Sequence, residues 1–426
     1  MIGSFRTPLA GAPYNQIYGI SYDTTIAAPE VTRTGNMSLH ASLPIQSLMR
    51  RCILNDAGQV VYYLHNDDST LKADGTAADL TGATGQVMVE IPSYYRKFSS
   101  VGNFNFADFS LYPFDGAHYV PQKYISAYKA VLDRTTLKLS SVVNGTANYR
   151  GGNNSATNDA NAKTLLGKPV TSISRTNTNL YAQNRGTNWR DMRYHVRKDI
   201  YWLITCEYAE RNHQKAVDNT LTVEGFKKGC LGTGATNIVT ANWNTFNAYY
   251  PLFNCGLTNS LGNKSGEVAV ILQDFPTAGL TANTQVNSYR GIENFFGDIW
   301  EWTNGVNIKT NVNIAEVFVS NDNNVSDTNY TNYRKVGEMP YVNGYVKEII
   351  FGNEGDILPL NTTGGSSTTY FSDYYYQANP AAETLRGLLF GGSADRGAPA
   401  GSASAYSPDT PSNANAVFGS RLTYFP

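Results

Sequence analysis

Two apolar stretches near the C-terminal end, Leu388-Leu389-Phe390 and Leu422-Thr423-Tyr424-Phe425, enclose about thirty residues drawn almost wholly from Gly, Ala, Ser, Pro, Asp and Asn. The flanks have the length and bulk of buried strands, while the interior holds almost nothing from which a core can be built. A chain that places so much apolar-poor sequence between two core strands is expected to hold it as a displayed surface on a rigid frame. The residues expected on that face are Asp395, Arg396, Ala398, Ser402, Ser404, Tyr406 and Asp409, with Val417 and Phe418 beside Gly419. Arg396 supplies charge and Tyr406 an aromatic anchor, the two side-chain types that most often carry binding energy. Tyr406 has an alternative role, packing on Pro408 and Pro411 to brace its own loop.

Upstream stands a second block, Gly297-Asp298-Ile299-Trp300-Glu301-Trp302. On a strand, Trp300 and Trp302 point the same way and Glu301 the other, so both indoles can fill one core. The framework role is the primary reading, since large aromatics most often serve packing. The alternative is a Ca²⁺ pocket, because Glu301, Asp298 and Asn304 are oxygen ligands of the kind that ion takes, although no EF-hand spacing accompanies them.

Read together, the Gly-Asp-Ile-Trp-Glu-Trp block, the later Arg386-Gly387 to Gly391-Gly392-Ser393-Ala394 stretch and the closing Gly419-Ser420-Arg421-Leu422 resemble the C-type lectin fold in its formylglycine-generating-enzyme-like branch. Within that branch the tail is similar to the variable proteins of diversity-generating retroelements, many relatives of which are phage receptor-binding proteins. The resemblance implies an α+β chain: a C-type lectin-like domain over residues 86–426, with a variable-type ligand-binding face at 386–426, preceded by a small β-rich attachment or oligomerisation region over 1–85. It implies a homotrimer at a virion tail tip or fibre that binds a host-surface protein or glycan and touches other tail proteins through its N-terminal region. The bacterial cell surface is the alternative location. The competing functional class is a structural or decoration virion protein without receptor binding.

Composition agrees with an outward-facing protein. Charged residues are only 16% of the chain, so solubility rests on Asn, Thr, Ser and Gly, a mixture suited to turns and short strands. Tyr is abundant, at 29 against 5 Trp; its apolar face and polar tip suit recognition surfaces, though most copies are expected to pack within β-structure. A net charge of −1 without a basic run leaves no electrostatic footprint for nucleic acid. No apolar run approaches membrane-spanning length. The start, Met1-Ile2-Gly3-Ser4-Phe5-Arg6, lacks the apolar core of a signal peptide, which fits a virion component released by lysis.

Catalytic signals are missing. The cysteines, Cys52, Cys206, Cys230 and Cys255, have no CxxC spacing and read as buried free thiols, with a Cys230 to Cys255 bridge as the alternative. The formylglycine-generating branch uses a cysteine pair in its C-terminal part, and this chain has no cysteine after Cys255. The histidines, His40, His65, His118, His195 and His213, show neither HExxH nor paired metal spacing, and no GxSxG or Walker loop occurs. No enzymatic role and no resident cofactor are therefore expected.

Local patterns complete the reading. Pro8, Pro13, Pro29 and Pro44 break any long helix before residue 50. Gln59 to Leu64 and Gln86 to Ile91 predict strands. Residues 140–180, rich in Asn, Thr, Ser and Gly, predict a long surface insertion. Asn188 or Asp191 is expected to cap a helix running to about Arg211, with Val196, Ile200, Leu203 and Tyr208 inward and Arg193, Arg197 and Glu210 toward water. Glu267 to Leu272 predicts a buried strand.

Overall fold

The computed structural model describes residues 14–320, 322–377 and 379–426. The part of the N-terminal region that holds Met1 to Arg6, Pro8 and Pro13 lies outside the described residues. The fold is β-rich, with a few short helices around three large sheets.

A five-stranded antiparallel sheet runs in the order Thr32–Gly35, Tyr18–Asp23, Phe104–Ser110, Tyr94–Val101, His118–Val120. A six-stranded sheet follows the order Trp189–Asp191, Leu422–Tyr424, Lys123–Ser126, Gln86–Ile91, Arg50–Leu54, Val60–Tyr63. Its central strand shows why the sequence is nearly all apolar there. Successive side chains point to opposite faces, and both faces are covered: Val87, Val89 and Ile91 enter the main core, while Met88 joins a separate cluster with Cys52, Leu54, Trp189 and Leu422. The two flanks of the tail are strands as expected, Thr384–Gly391 and Leu422–Tyr424, the latter buried throughout.

Several expectations need correction. The boundary placed near residue 85 does not separate sheets. Strands on both sides of it pair, Arg50–Leu54 with Gln86–Ile91 and Tyr18–Asp23 with Phe104–Ser110, and Tyr18, Ile20, Ile45 and Ile53 are fully buried. Residues 14–85 are thus woven into the body, because their short apolar runs find partner strands far along the chain. The strand Gly266–Gln273 exists but is partly exposed and, among the described residues, is a sheet edge paired only with Thr281–Tyr289, so its continuous apolar run did not signal two covered faces. Within 140–180, Leu165, Lys168, Val170 and Thr171 are buried and Ser174 caps the helix Arg175–Gln183 by accepting from Asn177 N, so the segment is only partly a surface insertion. The four cysteines are free and buried.

The longest helix, Tyr194–Tyr208, was expected, but its surroundings were not. Arg193 occupies the N-cap without a side-chain hydrogen bond, and Asp191 lies in the preceding strand, paired to Arg193 and accepting from the Thr178 hydroxyl at 2.9 Å. Val196, Ile200 and Leu203 do face the core, yet Arg193, Arg197 and Glu210 are buried rather than facing water. The helix is surrounded, so its charged residues turn to internal partners: Lys198 reaches Asp356 at 3.1 Å and Arg197 pairs with Glu301. Among the described residues no helix is long and apolar enough to cross a membrane.

Candidate functional site

The C-terminal sheet is built on the long strand Trp300–Asn311. Thr384–Gly391 lies beside it, then Gly401–Tyr406, then Tyr374–Tyr376 and Gly344–Tyr345. The closing strand Phe418–Gly419 pairs in parallel with Trp300 and Glu301. Alternation along the long strand works as the sequence implied. Trp300 and Trp302 are buried with Leu389 and Phe418, and Tyr376, Tyr406 and Val417 pack half-buried against this cluster. Gly387 is required here: a Cβ on it would sit 2.7 Å from the Trp302 indole.

On the other side, Glu301 is wholly buried and holds three cations. Lys129 Nζ donates to it at 2.8 Å and Arg421 Nε at 2.7 Å, and Arg197 completes the set. Burial alone would raise the Glu301 carboxyl, but Arg421, Lys129 and Arg197 outweigh it and hold the group at about 2. Its oxygens are committed to these partners. Asn304 Nδ2 lies 3.5 Å from Asp191 Oδ2, and Asp298 accepts from Leu252 N at 3.1 Å. Among the described residues no group of three or more His, Cys, Asp or Glu is arranged to hold a metal ion.

Above the tryptophans lies a run of tyrosines. In Tyr374-Tyr375-Tyr376 the strand period sends Tyr375 into the main core, while Tyr374 and Tyr376 stay half-buried, their rings 4.6 Å apart. Tyr345 continues the row at 5.0 Å from Tyr374. Tyr376 pairs across to Tyr406 at 5.8 Å, and Tyr406 lies 5.4 Å from Trp300 and 5.8 Å from Phe418. The Arg396 guanidinium stands over the Tyr376 ring at 5.0 Å. Burial, with Asp409 beside it, pushes the Tyr406 hydroxyl up to about 12, so it is a neutral donor at physiological pH.

The sequence-derived face divides accordingly. Arg396 and Tyr406 converge on Tyr376, and Val417 packs on the tryptophan cluster beneath. Asp395 lies next to them with its side chain mostly buried, accepting from Ser393 and Thr240 hydroxyls, and Asp409 is partly exposed beside Tyr406. Ala398 is exposed, its carbonyl accepting from Gln214. Ser402, Ser404 and Phe418 are buried, which corrects the expectation that they are displayed. The reason is a strand that small residues concealed: Gly401–Tyr406 pairs on both sides, so its serines bond inward. The Ser402 carbonyl accepts from Arg197 at 2.8 Å, and Ser404 Oγ donates to the Pro399 carbonyl at 2.7 Å. Gly401 is needed because a Cβ there would lie 2.0 Å from Asp373 Oδ1. Tyr406 is braced by ring contacts with Trp300, Tyr376 and Phe418. Sequence reasoning missed Tyr345, Tyr374 and Tyr376. The triple tyrosine was the available signal, since three consecutive aromatics in a strand must present at least one away from the core.

No family model and no curated protein matches the chain. Among solved structures it is similar to one named "Major Tropism Determinant U1 Variant", at 12% identity, covering 82% of this chain and 83% of that one, with a TM-score of 0.23. Agreement that slight carries no argument about fold or function.

Proposed function

We propose that this chain is a receptor-binding protein of a virion, at a tail tip or fibre, using a C-type lectin-like body to present the Tyr374, Tyr376, Tyr406 and Arg396 surface to a bacterial host-surface protein or glycan. The observation that carries the reading is that surface itself: half-exposed aromatics in ring contact, topped by a guanidinium and fixed from beneath by two buried tryptophans. Rigid tyrosines supply contact area at low entropic cost, and Arg adds a directional charge. A homotrimer is part of the proposal, since clustered copies multiply a weak site. The sequence resemblance to retroelement variable proteins supports the same assignment, and the scarcity of catalytic motifs favours binding over catalysis.

A structural virion protein is the second reading. The observation in its favour is the burial of Ser402, Ser404 and Phe418, which turns three of the nine residues expected on display into framework.

Binding of host cells by single variants separates the two. Arg396→Ala is expected to weaken cell binding at least tenfold with little change in melting temperature, because Arg396 is partly exposed, its ion pair to Asp395 spans 3.8 Å and its stacking on Tyr376 lies at the surface. Tyr406→Ala is expected to weaken binding and also to lose about 1 to 3 kcal/mol of stability, since its ring packs on Trp300 and Phe418. Parent-like binding by both variants would hand the lead to the structural reading.

A further inference from the structure

A cleft of about 570 Å³ opens well away in sequence from the tyrosine face, where the end of the helix Tyr194–Tyr208 meets the strands Arg50–Leu54 and Lys227–Gly229 and the turn after Thr281–Tyr289. That turn is built by two residues in the left-handed region, Arg290 at φ 48° and Gly291 at φ 85°, the conformation that suits a tight hairpin. It delivers the Arg290 side chain into the cleft. There Glu207, 1% exposed, grips it from below, accepting from Nε at 3.0 Å and Nη2 at 2.6 Å. Among the described residues Nη1 has no protein acceptor, so the guanidinium is held rigid with one donor edge to spare.

The other charges lining the cleft are Arg50, Lys227 and Lys264 against Asp67. Arg50 stacks on Tyr63 at 3.5 Å and is neutralised by Glu90 at 3.1 Å, and Lys264 is neutralised by Asp67 at 2.8 Å. Lys227 makes no ion pair among the described residues. With Glu90 counted, four cations face three carboxylates, and the excess sits on Lys227, beside the rigid Arg290 guanidinium. The amide of Asn219 also lines the cleft, as does that of Asn263, which accepts from Arg51 N at 2.7 Å and donates to Asn66 Oδ1 at 2.8 Å and keeps one further N–H; such groups donate and accept, as sugar hydroxyls require. No aromatic side chain lines the cleft, so it offers no platform for a nucleotide base.

We propose that this cleft is a second binding site, taking an acidic saccharide whose carboxylate or phosphate lies against Lys227 and Arg290 while its hydroxyls meet the asparagine amides. An unpaired lysine beside a rigid guanidinium selects an anion, and the amides select a polyhydroxylated one. The site goes beyond the receptor reading, uses none of the tyrosine-face residues, and stands or falls separately from it.

Calorimetric titration of the full chain at low salt tests this with trigalacturonate, glucose 6-phosphate, neutral maltotriose and inorganic phosphate as probes. At least one acidic sugar is expected to bind, more weakly as salt is raised, with maltotriose silent and inorganic phosphate at least tenfold weaker. The stronger of the two acidic sugars identifies the anionic group. Lys227→Gln is expected to lose at least tenfold in affinity with unchanged melting, since it breaks no ion pair, while Tyr376→Ser binds like the parent. Silence from both acidic sugars, equal binding of maltotriose or of inorganic phosphate, or a parent-like Lys227→Gln would each overturn the assignment. Failure of the host-cell assay alone would leave it standing.

Discussion

Glu301→Ala is expected to lose about 3 to 5 kcal/mol in chemical denaturation, because it leaves Lys129, Arg197 and Arg421 as three buried cations with no counter-charge. These partners come from a loop, the longest helix and the closing segment of the chain, so the loss should spread through the whole C-terminal sheet. Glu301→Gln keeps the shape and is expected to recover little, since the missing quantity is charge. The pH profile follows from the depressed carboxyl. With the folded group at about 2 and the ordinary value near 4.5, the ionised form is favoured by folding. That contribution is fully present above about 4.5 and is lost as pH falls toward 2, amounting to roughly 3 kcal/mol. A variant within about 1 kcal/mol of the parent, or one with the same acid limb, would refute the central role given to this residue.

The Glu301 centre also shows what the sequence could and could not disclose. Alternation in Trp300-Glu301-Trp302 placed the two indoles together and the carboxylate opposite, a consequence of the strand period alone. Arg197 was misread for an equally physical reason. Helical spacing identifies which face a residue occupies, but a helix covered on all sides has no water face, and only the tertiary partners decide whether an arginine is solvated or paired. The same limit applied to the tail. Leu388 to Phe390 and Leu422 to Tyr424 announced themselves by bulk, whereas Gly401–Tyr406 is a strand made of small residues, which carry no hydrophobic period to read. Its burial comes from neighbours on both sides. The tyrosine face was half legible: Arg396 and Tyr406 were found from residue chemistry, while Tyr376 joins them through a parallel pairing between strands thirty residues apart that no local pattern encodes.

Asp373 sits at that junction and gives the other large expected effect. Its Oδ1 accepts from Ala403 N at 3.1 Å and lies 3.4 Å from Ser404 Oγ, tying the tyrosine strand to Gly401–Tyr406, while among the described residues Oδ2 has no partner. Burial raises the carboxyl to about 7; the bonds from Ala403 and Ser404 oppose the rise, as does Arg197, the cation facing it, but Arg197 is already committed to Glu301. The folded state therefore prefers the protonated acid. Stability from this group is complete below the ordinary value near 3.8 and is lost as pH rises through 7, by about 4 kcal/mol in all. Asp373→Asn retains the Oδ1 acceptor and cannot ionise, so it is expected to match the parent at pH 4 and to exceed it by about that amount at pH 8. Denaturation curves of the two proteins at both pH values provide the measurement. Parallel losses between pH 4 and pH 8 would mean that burial does not raise the Asp373 carboxyl, which would then be ionised in the folded state throughout that range, and the tie between the two strands would be insensitive to pH across the range in which the tyrosine face is expected to bind.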